Sequence, residues 1–237
     1  MIGYERQKKI LEHLEARQSA TIRELARVLY TSEASVRRDI AALEAQGIVH
    51  KVYGGVLLSK YQNQIVPVSL RDRENSNIKD VIARRAAQMI HDGDTVIIDG
   101  SSTARRIIKH IDHLHNLKII TNNLLIFSEC SNPQVKLYCT GGSYCHGNHI
   151  LIGPSAEAYL RGISADCHFF SSQGITEDGV INDVSEEESS LRRIMIKQSK
   201  MQFFLCDSSK IGIRKMFTLC HKDDITDVIC DKKLPWE

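Results

Sequence analysis

The residues best equipped for chemistry fall in two groups. The first is Ser35, Arg37 and Arg38, with Ser32 just upstream. Adjacent guanidinium groups on a helix point about 100° apart, so one makes a paired contact with a guanine edge or a phosphate while the next reaches the flanking backbone. The second is Asp99-Gly100-Ser101-Ser102-Thr103. A glycine and three hydroxyl residues leading from an apolar strand into a helix offer backbone N–H groups, hydroxyl donors and the positive end of a helix dipole to an anion. On this segment alone, a plain strand-turn-helix in which Ser101 or Ser102 only caps the helix is an equal reading. Thr121-Asn122-Asn123, Gly141-Gly142 and Asp207-Ser208-Ser209-Lys210 each follow a later strand. Polar groups therefore gather on one rim, and the balance tips toward a ligand site.

Two other chemistries are weaker. Catalysis by proton transfer needs a general base near the substrate. Glu186, Glu187, Glu188 and Asp207 are available, but no acid/base pair stands at a recognisable spacing and acidic runs are usually solvated faces. Cys145, His146 and His149 match no structural zinc pattern and read as unrelated loop and core residues, so neither a metal nor a cofactor is expected.

The elements that position the first group begin at Thr21 and Glu24, which have the spacing of a capping box. Ile22, Leu25, Ala26 and Leu29 follow on one helical face, and the helix ends near Tyr30. Ser32 caps a second helix, whose Val36, Ile40 and Leu43 face inward until Gly47 permits a left-handed turn. A first helix over Glu5 to Ala16 supplies Ile10, Leu11 and Leu14 as packing. The alternating run Ile48 to Val56, broken at Gly54-Gly55, reads as a β-hairpin wing with Lys51 in reach of phosphate. Two helices and a basic ribbon of this kind present the start of the second helix to the DNA major groove.

The stretch Ser32-Glu33-Ala34-Ser35-Val36-Arg37-Arg38-Asp39-Ile40, with Leu43-Glu44, Gly47 and Tyr53-Gly54-Gly55, resembles the winged-helix signature of the deoxyribonucleoside-repressor (DeoR) family of bacterial transcription regulators. The resemblance implies double-stranded operator DNA as a partner and Ser32, Ser35, Arg37, Arg38, Lys51 and Tyr53 as the residues that meet it.

At 237 residues the chain has room for one small and one medium domain. With 42% hydrophobic and 25% charged residues, it is an ordinary globular sequence and disorder is not indicated. Residues 1 to 60 hold ten Lys/Arg against seven Asp/Glu, whereas the remainder holds 21 against 22, so the modest basic excess lies on the DNA-facing segment. No apolar run approaches the roughly 20 residues that span a bilayer, the first residues lack an apolar signal segment, and seven scattered cysteines show no disulfide framework, so a cytoplasmic protein is expected. The expected boundaries are a winged helix-turn-helix domain over 1–57, a linker over 58–75 containing the polar, Pro-interrupted run from Leu58 to Ser69, and an α/β effector-binding and oligomerisation domain over 76–237.

In that last domain, strands are predicted at 95–98, 118–120, 135–139, 167–170, 201–205 and 228–230. Helices are predicted around 103–110, 124–130, 155–160 and 187–198. Such alternation predicts a mainly parallel sheet covered on both faces. The same landmarks resemble the effector domain of the DeoR family, which has the fold of the ribose-5-phosphate isomerase group. By that similarity Ser101, Ser102 and Thr103 hold the phosphate of a sugar phosphate, Asp99, Asn122 and Asn123 meet sugar hydroxyls or shape the pocket, Gly100 and Gly142 belong to the same effector site, and Lys210 adds positive charge. Arg71, Asn75 and Lys79 resemble the family's domain junction or pocket. Gly153-Pro154 and Gly174-Ile175 also fall where the family has them. Ser171-Ser172-Gln173 and Arg192 depart from the common pattern. Arg192 stands where many members carry Lys, and a guanidinium is still a good phosphate partner. The resulting expectation is a non-enzymatic regulator, a repressor of sugar-metabolism genes that responds to a phosphorylated sugar and acts as a homodimer or homotetramer. The alternatives are a sugar-phosphate isomerase or deaminase-like enzyme with an accessory DNA-binding domain, and a DNA-binding protein whose second domain only oligomerises.

Overall fold

The computed structural model describes residues 3–17, 19–52, 55–58 and 68–236. By their internal contacts, Met1–Glu74 and Asn75–Glu237 form two compact units.

The first unit runs α1 (Gly3–Arg17), β1 (Ser19–Thr21), α2 (Ile22–Val28), α3 (Glu33–Ala45), β2 (Val49–Val52), β3 (Gly55–Leu58) and the short α4 (Val68–Arg71). Thr21 caps α2 as its type predicts, its hydroxyl accepting from Glu24 N at 3.0 Å. Tyr30 then takes a left-handed φ of 51°, and the turn it makes separates α2 from α3. Gly47, at φ +70°, ends α3 where a Cβ would be strained. Ile10, Leu14, Leu25, Val36 and Ile40 form the buried centre, joined by Val49 and Val56 from the hairpin. β3 pairs antiparallel with both β2 and β1, so the wing is the edge of a three-stranded sheet. The sequence reading lacks β1, because three residues next to a helix cap carry no period of their own. Tyr53, Gly54 and residues 59–67 of the expected linker lie outside the described residues.

The second unit continues with α5 (Ser76–Ala87), β4 (Thr95–Ile98), a 3₁₀ helix (Ala104–His110), β5 (Leu117–Thr121), α6 (Leu124–Glu129), β6 (Val135–Cys139), β7 (Ser143–Cys145) and β8 (Ile150–Ile152). Then come α7 (Pro154–Arg161), β9 (Ala165–Phe170), β10 (Gly174–Ile175), β11 (Val180–Asp183), α8 (Glu186–Lys197), β12 (Ser199–Cys206), β13 (Phe217–His221) and β14 (Asp227–Cys230). Six strands make a parallel sheet in the order β14-β12-β9-β4-β5-β6. Alternate residues of β4 feed two cores. Val96 and Ile98 pack with Ile82, Ile107 and Ile126 from α5, the 3₁₀ helix and α6, while Ile97 packs with Leu160, Leu191 and Met195 from α7 and α8. Strands buried on both faces explain the uninterrupted apolar runs seen in sequence.

Three details differ from the sequence reading. The segment after Thr103 is 3₁₀ helix, whose turns of three residues suit the apolar pairs Ala104/Ile107 and Ile108/Ile111. β7 and β8 form an antiparallel hairpin. β10, β11 and β13 form a second, antiparallel sheet beside the main one.

The chain passes from β4 outward to β5 and β6, then returns to place β9 on the other side of β4. The order thus reverses between β4 and β9, and in open α/β sheets ligands bind outside the carboxyl ends of the strands at such a reversal.

Candidate functional site

In the first unit, Val36, Asp39, Ile40 and Leu43 are buried along one side of α3, which leaves Arg37 and Arg38 exposed on the other. Ser32 is the N-cap of α3: its hydroxyl accepts from Ser35 N at 3.2 Å and lies 3.0 Å from Ser35 Oγ. Among the described residues, Arg37 makes a 3.5 Å contact with Glu33 and Arg38 equally long ones with Ala34 O and Ser35 Oγ, so neither exposed head is firmly held. Lys51 is exposed, yet its Nζ lies 2.6 Å from Glu44 Oε2 and its backbone N–H donates to Glu44 Oε1. Those bonds to Lys51 hold the Glu44 carboxyl below its ordinary value. Asp39, the third member of Arg-Arg-Asp, turns inward and forms a two-point ion pair with Arg6 of α1. Sequence reasoning missed Arg6, although a carboxylate on the inward stripe between Val36 and Ile40 signals a cationic partner.

In the second unit, Asp99 follows β4 at the reversal point. Its Oδ1 accepts from Ser101 N at 3.0 Å and its Oδ2 from Arg192 Nε at 2.7 Å. Ser101 Oγ accepts from Ala104 N and so caps the 3₁₀ helix, while Ser102 and Thr103 are buried beside it. The cap uses one of the loop's three hydroxyls. Thr103 Oγ1, Asn122 Oδ1 and Asn123 Nδ2 are buried with no hydrogen-bond partner among the described residues. The other ends of the two asparagines are occupied: Asn122 Nδ2 donates to Leu151 O, and Asn123 Oδ1 accepts from Leu125 N and caps α6. Buried polar atoms left unpaired cost about 1–3 kcal/mol each, so three along neighbouring strand ends mark a place prepared for polar ligand groups or water.

The β7–β8 hairpin lies across these ends. A Cβ on Gly100 would come within 2.5 Å of Ile150, and one on Gly142, at φ +112°, within 2.5 Å of Ile152 O. Both positions therefore need glycine for close approach. Asn148 Nδ2 donates to Glu188 Oε1 at 2.8 Å, tying the hairpin to α8.

Arg192 is placed differently from a free phosphate ligand. Its Nε, Nη1 and Nη2 donate to Asp99, Asp183 and Glu188 at 2.7, 2.8 and 2.8 Å, and all four side chains are buried. Burial works against the charge of Arg192, but the three carboxylates outweigh it and hold the guanidinium above its ordinary value. Asp99, Gly100, Asn122, Glu188 and Arg192 line one narrow cleft. Across the reversal point, Lys210 Nζ donates to Ser171 Oγ at 2.8 Å and lies 3.8 Å from Asp207. Burial acts to raise the Asp207 carboxyl; Lys210, the Ser209 hydroxyl, Lys79 and Asn75 outweigh it and hold the group below its ordinary value. Asn75 donates to Asp207 Oδ1 at 3.1 Å, which brings Asn75 and Lys79 to the Asp207 corner of the rim.

With this geometry in view, the family models fit without strain: a DeoR-like helix-turn-helix domain matches residues 6–62, and a DeoR C-terminal sensor domain matches residues 74–232. The chain belongs to the DeoR family of transcriptional regulators. Within the DeoR family it is 31% identical over 235 residues to the HTH-type transcriptional regulator GolR of Listeria innocua, covering 99% of this chain and 92% of that protein. It is 30% identical over 236 residues to the lactose phosphotransferase system repressor of Staphylococcus epidermidis, covering 98% and 93%. A ribose 5-phosphate isomerase A from Methanocaldococcus jannaschii overlaps 58% of this chain and 55% of its own, at 15% identity and a TM-score of 0.43.

One buried group stands apart from both surfaces. His168, in the middle of β9, stacks on Phe170 with 4.9 Å between ring centres, and neither ring nitrogen has a hydrogen-bond partner among the described residues. Burial, with Arg192 adding to it, lowers its pKa to about 3.

Two predictions follow from these placements. Arg37→Ala and Arg38→Ala each weaken operator binding by about 1–3 kcal/mol, roughly tenfold to a hundredfold, without lowering thermal stability. Titration of a labelled operator checks this, and unaltered affinity in the double variant would remove α3 from base reading. For His168 the folded pKa lies below the unfolded one, so the unfolded chain takes up the proton first and stability falls as pH drops from about 6.5 toward 3. The loss approaches about 1.4 kcal/mol per pH unit. Urea unfolding at several pH values should show a His168→Leu variant with about one proton less slope across pH 6 to 4; equal slopes would mean the ring is not buried neutral.

Proposed function

We propose that this DeoR-family regulator is a repressor of sugar-metabolism genes, acting in the cytoplasm as a homodimer or homotetramer, and that a phosphorylated sugar bound at the strand ends sets its operator affinity. The observation that carries the effector reading is the row of unpartnered buried atoms, Thr103 Oγ1, Asn122 Oδ1 and Asn123 Nδ2, beside the hydroxyls of Ser101 and Ser102. Hydroxyl and amide groups of this kind suit sugar hydroxyls and phosphate oxygens. Lys210 adds a cation across the reversal point, and Gly100 and Gly142 leave room for the hairpin to cover it. Arg192 serves this site through Asp99, whose other oxygen orients Ser101. The name of the staphylococcal relative, a repressor of a sugar phosphotransferase system, agrees with a sugar-linked role.

The same geometry disfavours the isomerase reading. Asp99, Asp183 and Glu188 each accept a bond from Arg192, and a carboxylate fixed by a guanidinium is a poor general base. Among the described residues of the first unit, no helix is long and apolar enough to cross a membrane, and the same holds for the second.

Thermal-shift screening with phosphorylated sugars, with and without operator, identifies the effector. Ser102→Glu places a negative charge where the phosphate is drawn, so the ratio of operator affinities without and with effector should collapse to about one. Ser102→Ala keeps the volume small and checks that the fold tolerates change there. A parent-like ratio in a folded Ser102→Glu protein would move the effector elsewhere.

A single winged helix covers too little DNA to find one site among many competitors, so symmetric pairing of two half-sites is expected. Sedimentation at micromolar concentration should show at least a dimer; a monomer that still binds operator would refute the assembly.

A further inference from the structure

The first unit carries a basic cleft that base reading by α3 leaves unused. Arg23 and Arg27 of α2 line it together with Arg73, which follows α4. Arg23 and Arg73 also line the adjoining hollow, whose other walls include Arg37 of α3 and Lys51 of the wing. The cleft is therefore continuous with the face that presents Arg37.

Its charges are not cancelled by its own carboxylates. Glu24 is engaged by Arg17 at 3.3 Å and by His13 at 3.4 Å, and Glu33 by Arg37 at 3.5 Å. Among the described residues, no carboxylate pairs with Arg23, Arg27 or Arg73, and all three arginines are exposed. Guanidinium groups set apart along a groove and left unpaired match an anion whose charges repeat along a line. The phosphate backbone of a DNA strand is such an anion, and each phosphate accepts a two-point contact from a guanidinium.

We propose that Arg23, Arg27 and Arg73 clamp the backbone phosphates flanking the bases that α3 reads. The inference rests on the DNA-binding reading of this family. Its new element is Arg73, which stands beyond the helix-turn-helix match ending at 62 and before the sensor match beginning at 74. A residue outside both domain patterns thus completes the DNA surface of the first unit. Phosphate contacts position a protein without selecting sequence, so the clamp strengthens binding to every duplex alike.

The test uses the full chain and a fluorescent duplex of mixed sequence, about 30 base pairs long, titrated over a range of salt concentrations. Arg23→Ala and Arg73→Ala should each reduce the slope of log affinity against log salt by roughly one per protomer and weaken binding about three- to tenfold near 0.1 M salt, with unchanged thermal midpoints. Arg161→Ala, which removes an exposed arginine of the second unit, should match the parent. If the parent binds with a clear salt slope and Arg23→Ala and Arg73→Ala bind identically, the clamp is refuted while DNA binding stands. If the parent itself fails to bind duplex, the DNA reading falls and takes the clamp with it.

Discussion

One buried guanidinium governs the carboxyl end of the central sheet. Arg192 joins α8 to β4 through Asp99 and to β11 through Asp183, with Glu188 one helical turn away on its own helix. Taking four charges out of water costs several kcal/mol per ion, and the cluster stands only because every donor nitrogen of the fork meets an oxygen at short range. The geometry then propagates. Asp99 uses its second oxygen to fix Ser101, Ser101 caps the helix that follows, and Glu188 uses its second oxygen to hold Asn148 and with it the hairpin. The loop after β4, the helix α8 and the hairpin are therefore set by one network, whose carboxylates outnumber its cation three to one.

The helical unit uses the same device at smaller scale. Arg-Arg-Asp reads as a single motif along the chain, yet the helix splits it: two arginines leave for solvent while Asp39 turns toward Arg6. The inward ion pair fixes α3 against α1 and thereby aims the outward pair. Exposed charge and internal support are thus written on adjacent residues, because neighbouring helical positions differ by about 100°.

Much of this was legible in the sequence where periodicity is strong. The caps at Thr21 and Ser32, the inward stripe of α3, and the buried strands of the parallel sheet carry local signals that tertiary structure did not override. What escaped reading depends on partners distant in the chain. Nothing near Gly100 announces that Ile150 presses on it, and nothing near residues 143–152 announces a hairpin lying over strand ends. Arg192 was read as a phosphate partner because its type suits phosphate. The three carboxylates that occupy it come from positions 99, 183 and 188, two of them on other elements. The antiparallel strands β10, β11 and β13 were missed because two to five residues are too few to show an alternation.

The wing lysine illustrates how an ion pair alters what a charge can do at range. Lys51 and Glu44 are 2.6 Å apart, so from a distance they present a small dipole and contribute little pull on an approaching duplex. The pair also ties β2 to α3, so Lys51 spends its charge on the fold of the first unit rather than on attraction at range.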